Sequence, residues 1–161
     1  VRIAVLNGPN LNLLGTREPD VYGATTLAEI EAQLHLVAPS LGATVVCAQF
    51  NHEGDLIDAI HALGGRPGAP GVAPELRTKV DGALINAGAW THTSLALRDA
   101  FSAVQLPFAE VHLTNIYARE PERRHSMLAP AALATVCGFG AAGYELALRG
   151  LVTTLAARRG R

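Results

Sequence analysis

Lysine is almost missing from this 161-residue chain: twelve of its 13 basic residues are arginine, and Lys79 stands alone. A phosphate-binding loop needs a lysine closing a GxxxxG run, and imine chemistry needs one in a pocket. Lys79 follows Thr78 in a Gly/Pro-rich stretch, which argues against both. Cysteine is scarce as well. Cys47 and Cys137 sit far apart in apolar runs, which excludes a disulfide framework and fits reduced core thiols in a cytoplasmic protein. Neither sign of charge dominates, with 13 basic against 14 acidic residues, so the footprint of a nucleic-acid or anionic-membrane partner is lacking. Long apolar runs are absent too. The first, Ile3 to Leu6, is far too short for the core of a signal peptide or for a membrane span.

The hydrophobic content of 49% against 17% charged residues is enough to build a core, and the length suits a single domain over 1–161. Short apolar runs at Arg2 to Leu6, Ala43 to Phe50, Gly82 to Asn86, Pro107 to His112 and Thr135 to Phe139 read as strands. Amphipathic stretches alternate with them. Leu27, Ile30, Leu34, Val37 and Leu41 recur at helical spacing behind a Thr26/Glu29 capping box. A second helix begins near Asn51 or Glu53 and ends at Gly64, a third is capped by Thr93 or Ser94, and a last one buries Tyr144, Leu148, Leu151 and Leu155. The stretch 64–80, GGRPGAPGVAPELRTKV, reads as an irregular Gly/Pro-rich surface loop. Alternating strands and helices predict an α/β, flavodoxin-like three-layer sandwich whose five-stranded parallel sheet has the order 2-1-3-4-5. That order places the two cysteines on opposite edges.

In such a sheet, ligands bind beyond the carboxyl ends of the strands, and three of those loops are rich in reactive side chains. After the first strand comes NGPNLNLLGTREPDVYG, with Asn10, Arg17 and Tyr22; its Gly and Pro residues suit a lid over 15–24. After the third comes NAGAWTHTS, with Asn86 and His92; the fourth ends in EVHLTNIYAREPERRHS, with Glu110, His112, Leu113, Thr114 and Arg123. His112 reads either as a half-buried hydrogen-bonded histidine or as a proton donor oriented by Glu110 on the same strand face. Tyr22 reads either as a packing aromatic or as a base whose phenolate the guanidinium of Arg17 favours. Arg17 and Arg123 are surface charge or a clamp on an anionic substrate.

Other patterns resolve differently. Gly138, Gly140 and Gly143 spell GxGxxG, yet no further strand or acidic residue follows to complete a dinucleotide fold, so they suit close helix–sheet packing. His52, Glu53, Asp55, Asp58 and His61 lack the spacing of a metal helix and read as a solvated face.

The blocks NGPNLNLLGTREPDVYG, NHEGDLIDAIH, INAGAWTHTSLALRDA, EVHLTNIYAREPERRHS and GFGAAGYELAL, in this order over nearly the whole chain, resemble those of the type II 3-dehydroquinate dehydratases. The resemblance implies elimination of water from the small molecule 3-dehydroquinate to give 3-dehydroshikimate, through an enolate, with no metal or cofactor, on the shikimate route to aromatic amino acids. It also implies a dodecamer of four trimers. It makes Tyr22 the base for a C2 proton, Arg17 the group favouring its phenolate, Asn10 the holder of a water at the enolate oxygen, and His112 the acid for the leaving C1 hydroxyl, assisted by Glu110. Asn86, His92, Leu113, Thr114 and Arg123 would hold the substrate, with Asp99 reaching the site of a neighbouring subunit. The chain departs from the pattern in the long 64–80 stretch and at Phe50, Trp90, Thr114 and Tyr117, none of which removes a reacting group. Two rivals remain from the residues alone: a non-catalytic binding module using the same loops, and an enzyme for another hydroxylated cyclic acid.

Overall fold

The computed structural model describes residues 1–16, 24–67 and 69–160. Its five strands are β1 (Arg2–Asn7), β2 (Thr44–Gln49), β3 (Gly82–Asn86), β4 (Phe108–His112) and β5 (Ala134–Cys137). All pairings are parallel, in the order β2-β1-β3-β4-β5. The α-helices among the described residues are α1 (Leu27–Val37), α2 (Glu53–Leu63), α3 (Leu95–Val104) and α4 (Ala142–Arg159). None is long and apolar enough to cross a membrane. The flavodoxin-like sandwich and its strand order are as the alternation of elements predicts. Cys47 and Cys137 are free, on the two edge strands, and burial pushes the Cys47 thiol up to about 12.

Because side chains alternate across a strand, each central strand serves two cores. Ala4, Leu6, Ala83, Ile85 and Phe108 face α2 and α3; Ile3, Val5, Leu84, Ala109 and Val111 face α1 and α4. This parity also decides where the polar strand ends point. Asn7 and Asn86 fall in step with the α1/α4 face, Glu110 and His112 with the α2/α3 face.

The expected starts of the helices hold. Thr26 and Glu29 form the full capping box of α1, and the Ser94 hydroxyl accepts the Leu97 N–H at the start of α3. Helix α1 gives way to a 3₁₀ turn over Ala38–Leu41 because Pro39 has no N–H for the α-helical ladder.

Two expectations need correction. The 64–80 stretch is more than an irregular surface loop: it contains a 3₁₀ turn, Pro74–Leu76, and buries Val72, Leu76 and Val80 in the α2/α3 core. Arg77 fastens it internally through the Val72 and Pro70 carbonyls, and Arg2 reaches it through the carbonyls of Thr78 and Glu75. The segment carries Lys79 and enters β3 at the amino end of the sheet, opposite the strand ends where ligands bind. In the GxGxxG run, Gly138 and Gly140 have φ of 93° and 56°, so they serve a left-handed turn rather than close packing. A Cβ on Gly143 would meet its nearest neighbour, Val136, at an ordinary 3.6 Å.

At the far end of α4, the Arg159 guanidinium pairs with Asp81. Burial opposes ionisation of Asp81, but the Arg2 backbone N–H and Arg159 outweigh it and hold the carboxyl below its usual range.

Candidate active site

The carboxyl ends of β1, β3 and β4 open into a cleft of about 240 Å³. It is lined by Asn10, Asn86, His92, His112, Leu113, Thr114 and Arg123, all expected site residues, and also by Arg119. Backbone contacts knit the loops that form it. Gly8 N–H donates to the Asn86 carbonyl at 2.7 Å, and the chain passes so close there that a Cβ on Gly8 would lie 2.3 Å from the Ala87 oxygen. Asn10 adopts φ 66°, which asparagine tolerates, and its N–H donates to the Asn51 side chain. The β3 and β4 loops are joined by Met127 N–H to the Thr91 carbonyl at 2.8 Å and by the His92 ring to the His125 carbonyl at 2.7 Å. A carbonyl can only accept, so Nδ1 of His92 carries the hydrogen and Nε2 is the ring nitrogen left for a ligand.

At the end of β4, Glu110 is fully buried and His112 is 6% exposed. The His112 Nε2–H donates to Glu110 Oε1 at 2.8 Å. Isolated, a carboxylate so deep would be costly, and its surroundings show how that cost is met. Thr91 donates its hydroxyl to Oε1 at 3.1 Å. Ser126 Oγ lies 2.9 and 2.8 Å from the two carboxylate oxygens. The same Oγ accepts the backbone N–H groups of Leu128 and Ala129, so its single hydrogen is available only for Glu110. Glu110 therefore acts as an acceptor to hydroxyl and imidazole donors, which fixes the hydrogen of His112 on Nε2 and leaves Nδ1 as the free nitrogen of a ring that lines the cleft.

On the other side of the sheet, Asn86 is held by a neutral chain of bonds. Gly88 N–H donates to its Oδ1, and its Nδ2 donates to the Tyr144 hydroxyl at 2.9 Å. The rim is cationic. Arg119 donates to the Thr114 hydroxyl, while Arg123 pairs at 3.1 Å with Glu120, both more than half exposed. The Asn115 side chain accepts the Tyr117 N–H at the entrance to a 3₁₀ turn, and Pro121 starts a second turn carrying Arg123.

Arg17 and Tyr22, with the rest of 17–23, lie outside the described residues. Asp99 is exposed on α3 and does not line this cleft. Among the described residues no set of three His, Cys, Asp or Glu side chains is placed to hold a metal ion. Thr91 and Ser126 were not among the expected site residues; the available signal was chemical, since a carboxylate expected inside a strand needs hydroxyl donors from the loops beside it.

The class II dehydroquinase family model matches residues 1–152. The chain is 59% identical to the 3-dehydroquinate dehydratase of Gemmatimonas aurantiaca over 157 residues, 98% of this chain and 95% of the relative. It is 54% identical to that of Dinoroseobacter shibae, covering 98% of this chain and 96% of the relative. Among solved structures, a type II dehydroquinase from Propionibacterium acnes superposes with a TM-score of 0.81 at 39% identity, covering 94% of this chain and 96% of the other. The chain thus belongs to the class II dehydroquinase family.

Proposed function

We propose that the chain eliminates water from 3-dehydroquinate to form 3-dehydroshikimate through an enolate, as a step of the shikimate route. The observation that carries this reading is His112, which lines a cleft whose rim presents Arg119 and Arg123 and is hydrogen-bonded from behind to the buried Glu110. A ketone's neighbouring proton is weakly acidic and hydroxide is a poor leaving group, so the reaction calls for a base, a stabiliser of the enolate oxygen and an acid. His112 is the acid: with Nε2 given to Glu110, a proton on Nδ1 passes to the C1 hydroxyl, which departs as water. Tyr22 is the base, taking the C2 proton, and Arg17 favours its phenolate. Asn10 holds the water at the enolate oxygen. Afterwards the proton gained by Tyr22 and the one lost by His112 re-equilibrate with solvent, restoring the enzyme.

The chain's other tyrosines support this choice of base. Tyr144 is sealed in the core, where burial pushes its phenol far above the usual range, and Tyr117 is exposed and outside the cleft. Asn86, His92, Leu113, Thr114 and Arg123 hold the substrate's hydroxyls and carboxylate. The reaction uses no metal or cofactor, in a cytoplasmic dodecamer of four trimers. Assembly is supported by large apolar side chains left exposed at Leu36, Phe139 and Leu146, and it would let Asp99 serve a neighbouring site.

The test is an ultraviolet assay for the conjugated enone product, run with chelator and borohydride present, on wild type and Tyr22→Phe. Turnover that survives both additives and falls by about 10²-fold or more in the variant is the expected result. An assembled wild type that produces no enone would overturn the dehydratase reading in favour of a binding module.

A further inference from the structure

Tyr144 lies on α4, on the side of the sheet away from Glu110 and His112, and is 1% exposed. A core tyrosine needs a partner for its hydroxyl, and this one has two. It donates to Asn7 Oδ1 at 2.7 Å and accepts from Asn86 Nδ2 at 2.9 Å. The bonds run in one direction: Gly88 N–H to Asn86 Oδ1, Asn86 Nδ2–H to Tyr144, and Tyr144 O–H to Asn7 Oδ1. Asn7 and Asn86 are register partners at the ends of β1 and β3, so strand parity turns both toward α4 and Tyr144 spans them.

We infer that Tyr144 is a positioning residue that fixes which way the Asn86 amide presents its donor and acceptor to the substrate. An asparagine amide can flip by half a turn and exchange oxygen for nitrogen. Gly88 demands the oxygen, and the phenol, whose own hydrogen is committed to Asn7, accepts only from the nitrogen. Both ends of the amide are thereby keyed. One Nδ2 hydrogen and one Oδ1 lone pair remain for the cleft that Asn86 lines. Burial supports this role by keeping the phenol protonated, so that it can both donate and accept. The run of bonds ends on Asn7 Nδ2, which is buried without a partner among the described residues. An apolar residue at position 7 would avoid that orphan but leave the Tyr144 hydrogen without an acceptor.

The consequence for substrate binding rests on the dehydratase reading; the orientation of Asn86 does not. Two measurements on the assembled enzyme separate them. Crystal structures of wild type and Tyr144→Phe should show Asn86 in one orientation in the first and rotated or in two conformers in the second. An Asn86 that stays in place without the hydroxyl overturns the inference, whether or not the protein turns over. With 3-dehydroquinate, Tyr144→Phe should raise KM about three- to tenfold with a smaller change in kcat. In an Asn86→Ala background the same substitution should leave KM unchanged, because its effect runs through the amide. An equal KM effect in both backgrounds marks Tyr144 as merely structural and overturns the inference. Wild type without turnover counts against the dehydratase reading, and the crystallographic comparison then decides the role of Tyr144 by itself. Should Tyr144→Phe fail to fold, Asn7→Ala removes the acceptor while keeping the ring, and should loosen Asn86 to a lesser degree; an unmoved Asn86 there also overturns the inference.

Discussion

Two buried polar clusters support the cleft from opposite faces of the same sheet, and they are built to different standards. On the α2/α3 face, Glu110 receives hydrogen bonds from Thr91, Ser126 and His112, and Ser126 is itself pinned by two backbone N–H groups. On the α1/α4 face, the run through Asn86, Tyr144 and Asn7 ends on an amide nitrogen with no partner among the described residues. The first cluster centres on a group able to carry charge; the second is neutral throughout. A buried charge short of donors costs several times more than a buried amide short of an acceptor. The sequence of this chain accordingly supplies hydroxyls around Glu110 and tolerates an orphan at Asn7.

Breaking the centre of the charged cluster should have the largest effect. Glu110→Gln keeps the size of the side chain and an oxygen at Oε1, but turns the Oε2 end into an NH₂ that faces Ser126. Ser126 cannot reverse its role because its oxygen already accepts two N–H groups. Stability should fall by about 1–3 kcal/mol in chemical denaturation. Turnover should fall by about 10²-fold or more, since the amide oxygen still accepts from His112 but the negative charge paired with the proton-donating ring is lost. A variant with near wild-type kcat would show that the pair merely fills space.

Ser126→Ala takes away one donor and strands the N–H groups of Leu128 and Ala129 while Glu110 and His112 remain. The expected loss is again about 1–3 kcal/mol, and kcat should drop by roughly tenfold, because Thr91 and the imidazole still hold the carboxylate. Were Ser126→Ala as damaging to turnover as Glu110→Gln, Ser126 would be acting on the reacting groups directly.

These clusters also mark where sequence reasoning stops. Strand order, the capping box at Thr26 and the Glu110–His112 pairing are legible because they follow from local periodicity and from residues two or three positions apart. Asn86, His92, Thr114 and Arg123 are legible as residues of one cleft because strand-end loops converge in a parallel sheet. Thr91 and Ser126 are not, since the carboxylate that needs them is 19 and 16 residues away along the chain. Tyr144 is correctly placed as a core residue by helical spacing, but its hydroxyl meets Asn7 across 137 residues, a contact that only the packing of α4 on the sheet creates. The buried part of the 64–80 stretch is hard to read for a related reason. Its Gly and Pro residues signal irregularity and outweigh the four-residue spacing of its buried Val72, Leu76 and Val80.

The smallest effect belongs to the neutral cluster, where two changes oppose each other. Asn7→Ala removes the orphaned Nδ2, which relieves a buried unsatisfied donor, and it also removes the Oδ1 that accepts the Tyr144 hydrogen. One unsatisfied group replaces another: the amide nitrogen goes, and the Tyr144 hydrogen loses its acceptor. Their costs are of the same size, so the net change should stay within about 1 kcal/mol, well below that of Ser126→Ala. Denaturant midpoints of the two variants, measured side by side at equal m-values, make the comparison directly. If Asn7→Ala proves the more destabilising, the orphan is worth less than its burial suggests, and the contrast between the charged and neutral faces fails.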